Sequence, residues 1–128
     1  MKPLWPDFEL ILDQTGYFSG VVHRSRFAAP KAEPFSEAVY VHFAAGARTN
    51  WHTHQGEQIL IGVKGECVLV YPGKPPQRFG MGQSVRIPAG ERHWHGATEV
   101  DSAHIAVNLG ATDWLEAVTE AEYREGQR

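Results

Sequence analysis

One stretch, residues 46–65 (GARTNWHTHQGEQILIGVKG), constrains the fold more than any other. It holds two histidines one residue apart, His52 and His54, and an amide four positions later, Gln58. Because successive side chains of an extended strand point to opposite faces, these three would share one face. Imidazole nitrogens and an amide oxygen can together hold a divalent cation. A hairpin with surface histidines would show the same pair, so the interpretation depends on the rest of the chain.

Composition and charge restrict the function classes. The 128 residues, 42% hydrophobic and 21% charged, are typical of one globular domain spanning 1–128. A net charge of −3 and the absence of a Lys/Arg cluster argue against a nucleic-acid partner. Apolar runs are too short to span a bilayer and residues 1–13 lack the order of a signal peptide, so we expect no membrane partner and a cytoplasmic location. The single cysteine, Cys67, is expected to be a small buried residue.

Turn residues predict an all-β fold. Thirteen glycines and eight prolines separate short segments rich in Val, Ile, Phe and Tyr, as in a β-sandwich or barrel. We assign residues 1–16 to an apolar N-terminal arm, 17–110 to the barrel and 111–128 to a tail of two short helices, with a capping box at Thr119–Glu122. The arm would pack on the domain or on a second subunit, which favours a homodimer or homotetramer.

Alternating segments predict the first strands. We expect a strand at Tyr17–Val22, a loop over Arg24–Pro34 and a strand at Ser36–Ala44. One face of this last strand is the better candidate for the core, namely Val39, Val41 and Phe43.

Further strands are expected after the histidine pair, at Gln58–Val63, Glu66–Tyr71, Gln83–Ile87 and Ala103–Leu109. In the last of these, one face is predicted to meet the core and the other a small polar cavity. The predicted core face holds Ile105, Val107 and Leu109, and the cavity face holds His104, Ala106 and Asn108.

Five of the seven histidines lie on segments whose alternation aims them at one interior face: 52, 54, 93, 95 and 104. His95 could act as a general base or orient a bound ligand. His104 would face the cavity together with Asn108, and Thr49 would supply a hydroxyl near the metal. Alternatively, His95 and His104 bond backbone carbonyls at the barrel mouth.

Several other histidine, glutamate and tryptophan residues are interpreted as structural. His23 and His42 are expected to be solvated or packing histidines. Glu57 has the opposite parity to Gln58, which predicts a side chain that faces outward or pairs with a basic residue such as Arg48, unless a slip in register turns it inward. Trp51 and Trp94 are expected to belong to the core and to support the histidines from the opposite face.

Two spaced motifs resemble those of the cupin superfamily. The pattern G-x5-H-x-H-x3-(E/Q)-x6-G is met by Gly46, His52, His54, Gln58 and Gly65. The pattern G-x5-P-x-G-x2-H is met by Gly82, Pro88, Gly90 and His93. The resemblance implies a jelly-roll barrel, the double-stranded β-helix. Together with HIAV and DWLEAVT, the chain looks like the small single-domain cupins related to those found beside carboxymuconolactone decarboxylases, a group that includes manganese-dependent hydroxynitrile lyases.

What the resemblance implies for the site is a metal held by His52, His54, Gln58 and His93. It also implies that His104 carries a proton and that His95, Thr49 and Asn108 line the pocket. Mn or Fe is favoured by the resemblance, whereas the donor types themselves also suit Zn, Ni or Cu.

Gln58 stands where most of the superfamily has Glu. All four expected ligands are then neutral, so a divalent ion would keep its full charge and be a stronger Lewis acid. This favours a lyase acting on a small carbonyl-derived substrate. The alternatives are an Fe(II) or Mn(II) dioxygenase-like cupin and a small-molecule-binding cupin without turnover.

Overall fold

The computed structural model describes residues 9–27 and 31–128, which form fourteen strands and one helix. The elements are β1 (Ile11–Leu12), β2 (Phe18–Ser19), β3 (Val22–Arg26), β4 (Lys31–Ala32), β5 (Phe35–Phe43), β6 (Arg48–Thr49), β7 (His52–His54), β8 (Gln58–Lys64), β9 (Glu66–Val70), β10 (Gln77–Gly80), β11 (Ser84–Ile87), β12 (Trp94–Ala97), β13 (Ser102–Asn108), β14 (Thr112–Trp114) and α1 (Glu120–Glu125). The predicted all-β fold is confirmed.

Two antiparallel sheets form the body of the barrel. One has the order β1-β3-β5-β13-β8-β11, with β4 beside β5. The other has the order β10-β9-β12-β6-β2. A short ribbon of β14 and β7 completes the arrangement. Since β7 carries two of the histidines, its pairing partner lies at the site.

The predicted strand at Tyr17–Val22 is wrong in its continuity. It is split into β2 and β3, which belong to different sheets. Gly20 lies between them with φ of +84°, and a Cβ there would come 2.8 Å from the Cβ of Ala47. A side chain is therefore excluded by both conformation and space. The chain crosses from one sheet to the other at this glycine.

The predicted loop at Arg24–Pro34 is also partly wrong. Residues 24–26 continue β3, and Lys31–Ala32 forms β4 against β5. Residues 28–30 lie outside the described part of the chain. β10 at Gln77–Gly80 was not predicted at all, because its polar residues conceal the strand pattern.

The barrel interior is apolar on the faces that alternation selects. The predicted core face of β5 is confirmed, since Val39, Val41 and Phe43 are 5%, 5% and 0% exposed. The prediction for β13 is wrong in its assignment of the apolar face. His104 and Ala106 are buried in the interior, whereas Leu109 is 46% exposed. The apolar face of that strand lies outside, and the interior face is the one with the histidine.

The predicted N-terminal arm falls partly outside the described residues. Residues 1–8 are not described, and β1 pairs with β3 at the edge of the larger sheet. Ile11 and Leu12 are 64% and 47% exposed there. The homodimer or homotetramer remains a prediction. Among residues 9–27 and 31–128, no helix is long and apolar enough to cross a membrane.

The predicted tail of two helices is half right. Thr112–Trp114 is a strand, because it pairs with β7 in the register Thr112 to His54 and Trp114 to His52. The second predicted helix exists as α1, and its capping box between Thr119 and Glu122 is confirmed. The tail therefore contributes to the site as well as to the outer layer.

Candidate metal centre and a coupled histidine pair

The predicted metal ligands come together from three places in the fold. His52 and His54 lie on β7, Gln58 begins β8, and His93 directly precedes β12. The expectation that one strand face carries the first three is wrong, because the chain bends at 55–57 and β7 and β8 belong to different sheets. His93 is brought in by reciprocal backbone bonds with His52, of 2.9 and 3.0 Å.

Backbone carbonyls fix the tautomers of two histidines. His52 Nδ1 lies 2.8 Å from the carbonyl oxygen of Asn50, and His93 Nδ1 lies 2.8 Å from that of Glu91. A carbonyl only accepts, so each Nδ1 carries hydrogen and each Nε2 keeps its lone pair. The arrangement is the one that histidine ligands of metals usually adopt.

Gln58 places a second acceptor against one of these lone pairs. Its Oε1 lies 3.1 Å from His93 Nε2, and both atoms are acceptors when Nδ1 holds the hydrogen of His93. Two facing lone pairs in a buried site repel each other unless a proton or cation lies between or beside them. This contact is therefore evidence that the donor set fits a metal ion.

The buried imidazoles form one cluster. Ring nitrogens of His52, His93 and His95 lie within 4.8 Å of one another. The ring of His54 is 4.9 Å from that of His52, and its buried Nε2 has no partner in the described structure. His95 was predicted for proton transfer, yet it lies close enough to belong to the donor set. Four imidazoles and one amide oxygen thus surround the candidate centre.

Burial keeps these imidazoles neutral. It lowers the pKa of His93 to about 4 and the pKa of His104 to about 3. Burial also lowers the pKa of His54, and holds the pKa of His52 and of His95 well below the ordinary value for histidine. The neighbouring imidazoles of His93 and His104 add to this effect at His52 and His95 respectively. Lone pairs are consequently available at neutral pH.

His95 and His104 form a hydrogen-bonded pair beside the cluster. His104 Nε2 lies 3.1 Å from His95 Nδ1, so one hydrogen is shared between two buried rings. The outer nitrogens, His95 Nε2 and His104 Nδ1, have no bonding partner in the part of the chain that is described. Of the backbone groups considered as the alternative, that of His104 itself acts on its ring and raises its pKa against the larger effect of burial, whereas the two rings bond each other. The backbone N–H of His95 donates to Thr49 Oγ1 at 3.2 Å.

A cavity of about 350 Å³ opens onto the cluster. His95, Thr49 and Asn108 line it, as expected, and His104 lies behind His95. Trp114 lies over His52, with ring centroids 4.8 Å apart. The cavity has both apolar and polar walls and is large enough for a small organic molecule.

Three aromatic residues line one part of the cavity and pack on one another. Tyr17 stacks on Trp114 at 4.6 Å with an interplanar angle of 6°, and Phe18 tilts against Trp114 at 5.7 Å. Sequence reasoning missed Trp114 because its segment was assigned to a helix. Pairing of β14 with β7 depends on residues sixty positions apart, which no local pattern contains.

Glu37 is a second residue that was missed. Its carboxylate accepts a hydrogen bond from Asn108 Nδ2 at 2.8 Å, inside the cavity wall. A signal for it was present, since Glu37 has the same parity on β5 as Val39 and Val41. The alternation that assigned those valines to the interior also assigns Glu37 to it.

The two tryptophans beside the histidines are confirmed as structural. Trp51 and Trp94, 5% and 0% exposed, pack with Tyr123 of α1 on the outside of the smaller sheet. Glu57 faces outward and pairs with a basic residue, as expected, but its partner is not Arg48. It pairs with Arg86 at 2.9 Å, whereas Arg48 turns to the C-terminal segment and donates to the carbonyl of Val118 at 2.9 Å.

The remaining titratable candidates lie away from the cluster. His23 and His42 face each other across β3 and β5 and are partly buried, as expected. Cys67 is fully buried with Leu60 and Phe79, and burial raises the pKa of its thiol to about 11. The expectation of a small buried cysteine is confirmed.

Comparison with known families now decides the fold family. The protein-family model described as "Cupin domain" matches residues 39–108, more than half of the chain. The chain belongs to the cupin family. The matched segment includes all the residues of the histidine cluster and its neighbours: His52, His54, Gln58, His93, His95 and His104.

Individual relatives agree with the cupin assignment. The (R)-mandelonitrile lyase of Granulicella tundricola is 38% identical over 89 residues, which are 66% of this chain and 68% of the relative. Dimethylsulfoniopropionate lyase DddQ of Ruegeria pomeroyi is 33% identical over 98 residues, 77% of this chain and 47% of the relative, so this cupin spans about half the length of that enzyme. A crystal structure of a cupin-like protein from Thermotoga maritima has a TM-score of 0.83 and 36% identity, covering 90% of this chain and 91% of that one.

Proposed function

We propose that this cupin is a metal-dependent lyase that cleaves a small carbonyl-derived substrate of the cyanohydrin type. The observation that carries the proposal is the facing pair of acceptors, His93 Nε2 and Gln58 Oε1, inside a cluster of neutral imidazoles. Similarity to a mandelonitrile lyase and to a second lyase supports the reaction class.

The proposed ligands are His52, His54, Gln58 and His93. His54 is included because its buried Nε2 has no partner among the described residues, and its Nδ1 is held by Thr112 Oγ1 at 2.9 Å. A divalent ion, with Mn or Fe favoured, would supply Lewis acidity toward negative charge that develops on the substrate. Four neutral ligands would leave that acidity undiminished.

His95 is proposed to move the proton. In cyanohydrin cleavage the hydroxyl loses its proton, the bond to the nitrile carbon breaks with its electron pair on cyanide, and the carbonyl forms. Cyanide then takes up a proton and leaves as hydrogen cyanide. When His95 Nδ1 holds the hydrogen shared with His104, His95 Nε2 offers a lone pair to the cavity, so the pair can take up and return a proton without water.

The cavity walls would hold the rest of the substrate. Val39 and Val41 offer an apolar wall, and Trp114 an aromatic one. Thr49 Oγ1, already accepting from the backbone of His95, can still donate its own hydrogen to a substrate oxygen. This division favours a substrate with one compact polar centre and an apolar substituent.

The function is tested by an assay of cyanohydrin cleavage on the metal-loaded protein, with and without oxygen. We expect equal rates in air and under anaerobic conditions, because a lyase consumes no oxidant. The His104→Gln variant should keep its metal but lose turnover by about 100-fold, since the amide can still bond His95 but cannot share a proton.

Two results would contradict the proposal. Activity that disappears without oxygen would indicate a dioxygenase. Stoichiometric metal and ligand binding with no turnover, in the unmodified protein and in His104→Gln alike, would indicate a binding cupin instead.

Replacing Gln58 with Glu is expected to keep metal binding and to lower kcat. The carboxylate would place a negative charge beside the ion and reduce its ability to stabilise an anion. We expect a decrease of about tenfold or more at equal metal content, measured by steady-state kinetics on samples of known metal stoichiometry. An unchanged or higher rate would show that the Lewis-acid argument is wrong.

A further inference from the structure

We infer that Glu37 is a positioning residue: acting through Asn108, it fixes the amide of Gln58 with its oxygen toward the metal centre. This inference rests on the proposed metal site. Glu37 itself touches neither the histidine cluster nor Gln58. Its bonded influence passes along two hydrogen bonds, and its charge also acts at a distance on His54, whose pKa it raises against the larger effect of burial.

The direction of the chain of bonds is set at its outer end. A carboxylate only accepts, so Asn108 must turn its NH2 group to Glu37 Oε2, which lies 2.8 Å away. Asn108 Oδ1 is thereby left facing inward and accepts from Gln58 Nε2 at 2.7 Å. Gln58 Oε1 is the atom that remains, and it faces His93 Nε2 at 3.1 Å.

The opposite orientation would close the site. With its amide turned, Gln58 would direct NH2 toward the lone pair of His93 Nε2, and the two groups could bond each other directly. A metal would then have to break this bond and displace an N–H group that has no lone pair to offer. Asn108 alone cannot prevent the turn, because its own amide can reverse as well. Glu37 is the member of the chain that cannot reverse.

The surroundings of Glu37 suit this role. Its side chain is 12% exposed, and its second oxygen accepts from Arg26 Nε at 3.2 Å. The carboxylate is therefore held in place from outside while it bonds inward. The carboxylate also polarises the amides of Asn108 and Gln58. Gln58 Oε1 thereby becomes a stronger ligand for a cation, and no full charge is placed among the metal ligands.

The inference is tested by a double-mutant cycle on Mn2+ affinity. The Kd would be measured from the electron paramagnetic resonance signal of free Mn2+ for the unmodified protein, Glu37→Leu, Gln58→Glu and the double variant. Glu37→Leu should weaken binding by about tenfold or more, as loss of an outer-shell partner does. In the Gln58→Glu background the same change should not weaken binding, because both terminal atoms of a carboxylate are oxygens and either can face the metal.

A matched control is Glu57→Leu. Glu57 is adjacent to Gln58 in sequence and also pairs with an arginine, but its side chain is 45% exposed on the outside of the barrel. Its replacement should leave the Kd unchanged. If Glu37→Leu fails to fold, Glu37→Gln carries the cycle, with a smaller loss of the same sign, since a glutamine at 37 can reverse.

Each other outcome overturns the inference in a distinguishable way. No Mn2+ binding by the unmodified protein overturns the proposed metal function as well. Binding by the unmodified protein and equally by Glu37→Leu overturns the role of Glu37 alone. An equal loss in both backgrounds would show that Glu37 acts on the fold or through its charge, and not through the orientation of Gln58.

Discussion

Replacing His52 or His93 with alanine is expected to reduce the metal content of the purified protein from about one ion to less than about 0.1 per chain. Both residues present Nε2 lone pairs that are fixed by backbone carbonyls, so each loss removes a preorganised donor. Elemental analysis before and after reconstitution would measure the effect. His23→Ala, a change outside the cluster, should keep the full metal content.

The same experiment separates the two possible donor sets. If the ion is held as proposed, His54→Ala should also lose metal, whereas His95→Ala should retain it and lose turnover. The reverse pattern would show that His95 is the ligand, as its nitrogen's distance from those of His52 and His93 allows. Full metal content in His52→Ala and His93→Ala would contradict the site altogether.

Acid is expected to destabilise the metal-free protein between about pH 6.5 and 4.5. His93 and His104 are buried with pKa values of about 4 and about 3, whereas in the unfolded chain a histidine has a pKa near 6.5. Between these values the unfolded state binds more protons, so the free energy of unfolding falls as pH falls. The stabilisation is complete above about pH 6.5 and is lost progressively below it.

The expected size of this effect is large. Each of the two histidines contributes a slope of about 1.4 kcal/mol per pH unit, so the two together remove about 3 kcal/mol between pH 5.5 and 4.5. Urea unfolding of the metal-free protein at several pH values would measure it. His104→Gln should reduce the slope by its own share of about 1.4 kcal/mol per pH unit, while the other buried histidines keep theirs. A free energy of unfolding that is constant from pH 7 to 4.5 would contradict the prediction.

Spacing and alternation were sufficient to predict the barrel and to select the histidines, Gln58, Thr49 and Asn108 of the candidate site, but not Glu37 and Trp114. Glycine and proline punctuation predicted the turns, and parity on β5 correctly selected its core face. Alternation on β13 correctly separated two faces but gave the apolar one to the core. Outer faces of a barrel can be apolar too, so hydrophobicity alone does not decide which side is inside.

What the sequence could not predict depends on contacts between distant segments. β14 was assigned to a helix because its pairing with β7 is a long-range event. The bond between His95 and His104 and the bonds that link Glu37, Asn108 and Gln58 join separate strands. Parity could place each of these side chains inside the barrel, but only the register of neighbouring strands determines which atoms meet.

Cys67 makes the opening of the barrel interior measurable by a chemical reaction. It is the only cysteine in the chain, it lies with Leu60 and Phe79 in the interior, and its raised pKa leaves almost no thiolate at neutral pH. The thiolate is the nucleophile that attacks an alkylating reagent, so the reaction proceeds at an appreciable rate only when Cys67 is open to solvent. The rate at which Cys67 is alkylated therefore measures how often the interior around it opens to solvent, and no engineered residue is needed.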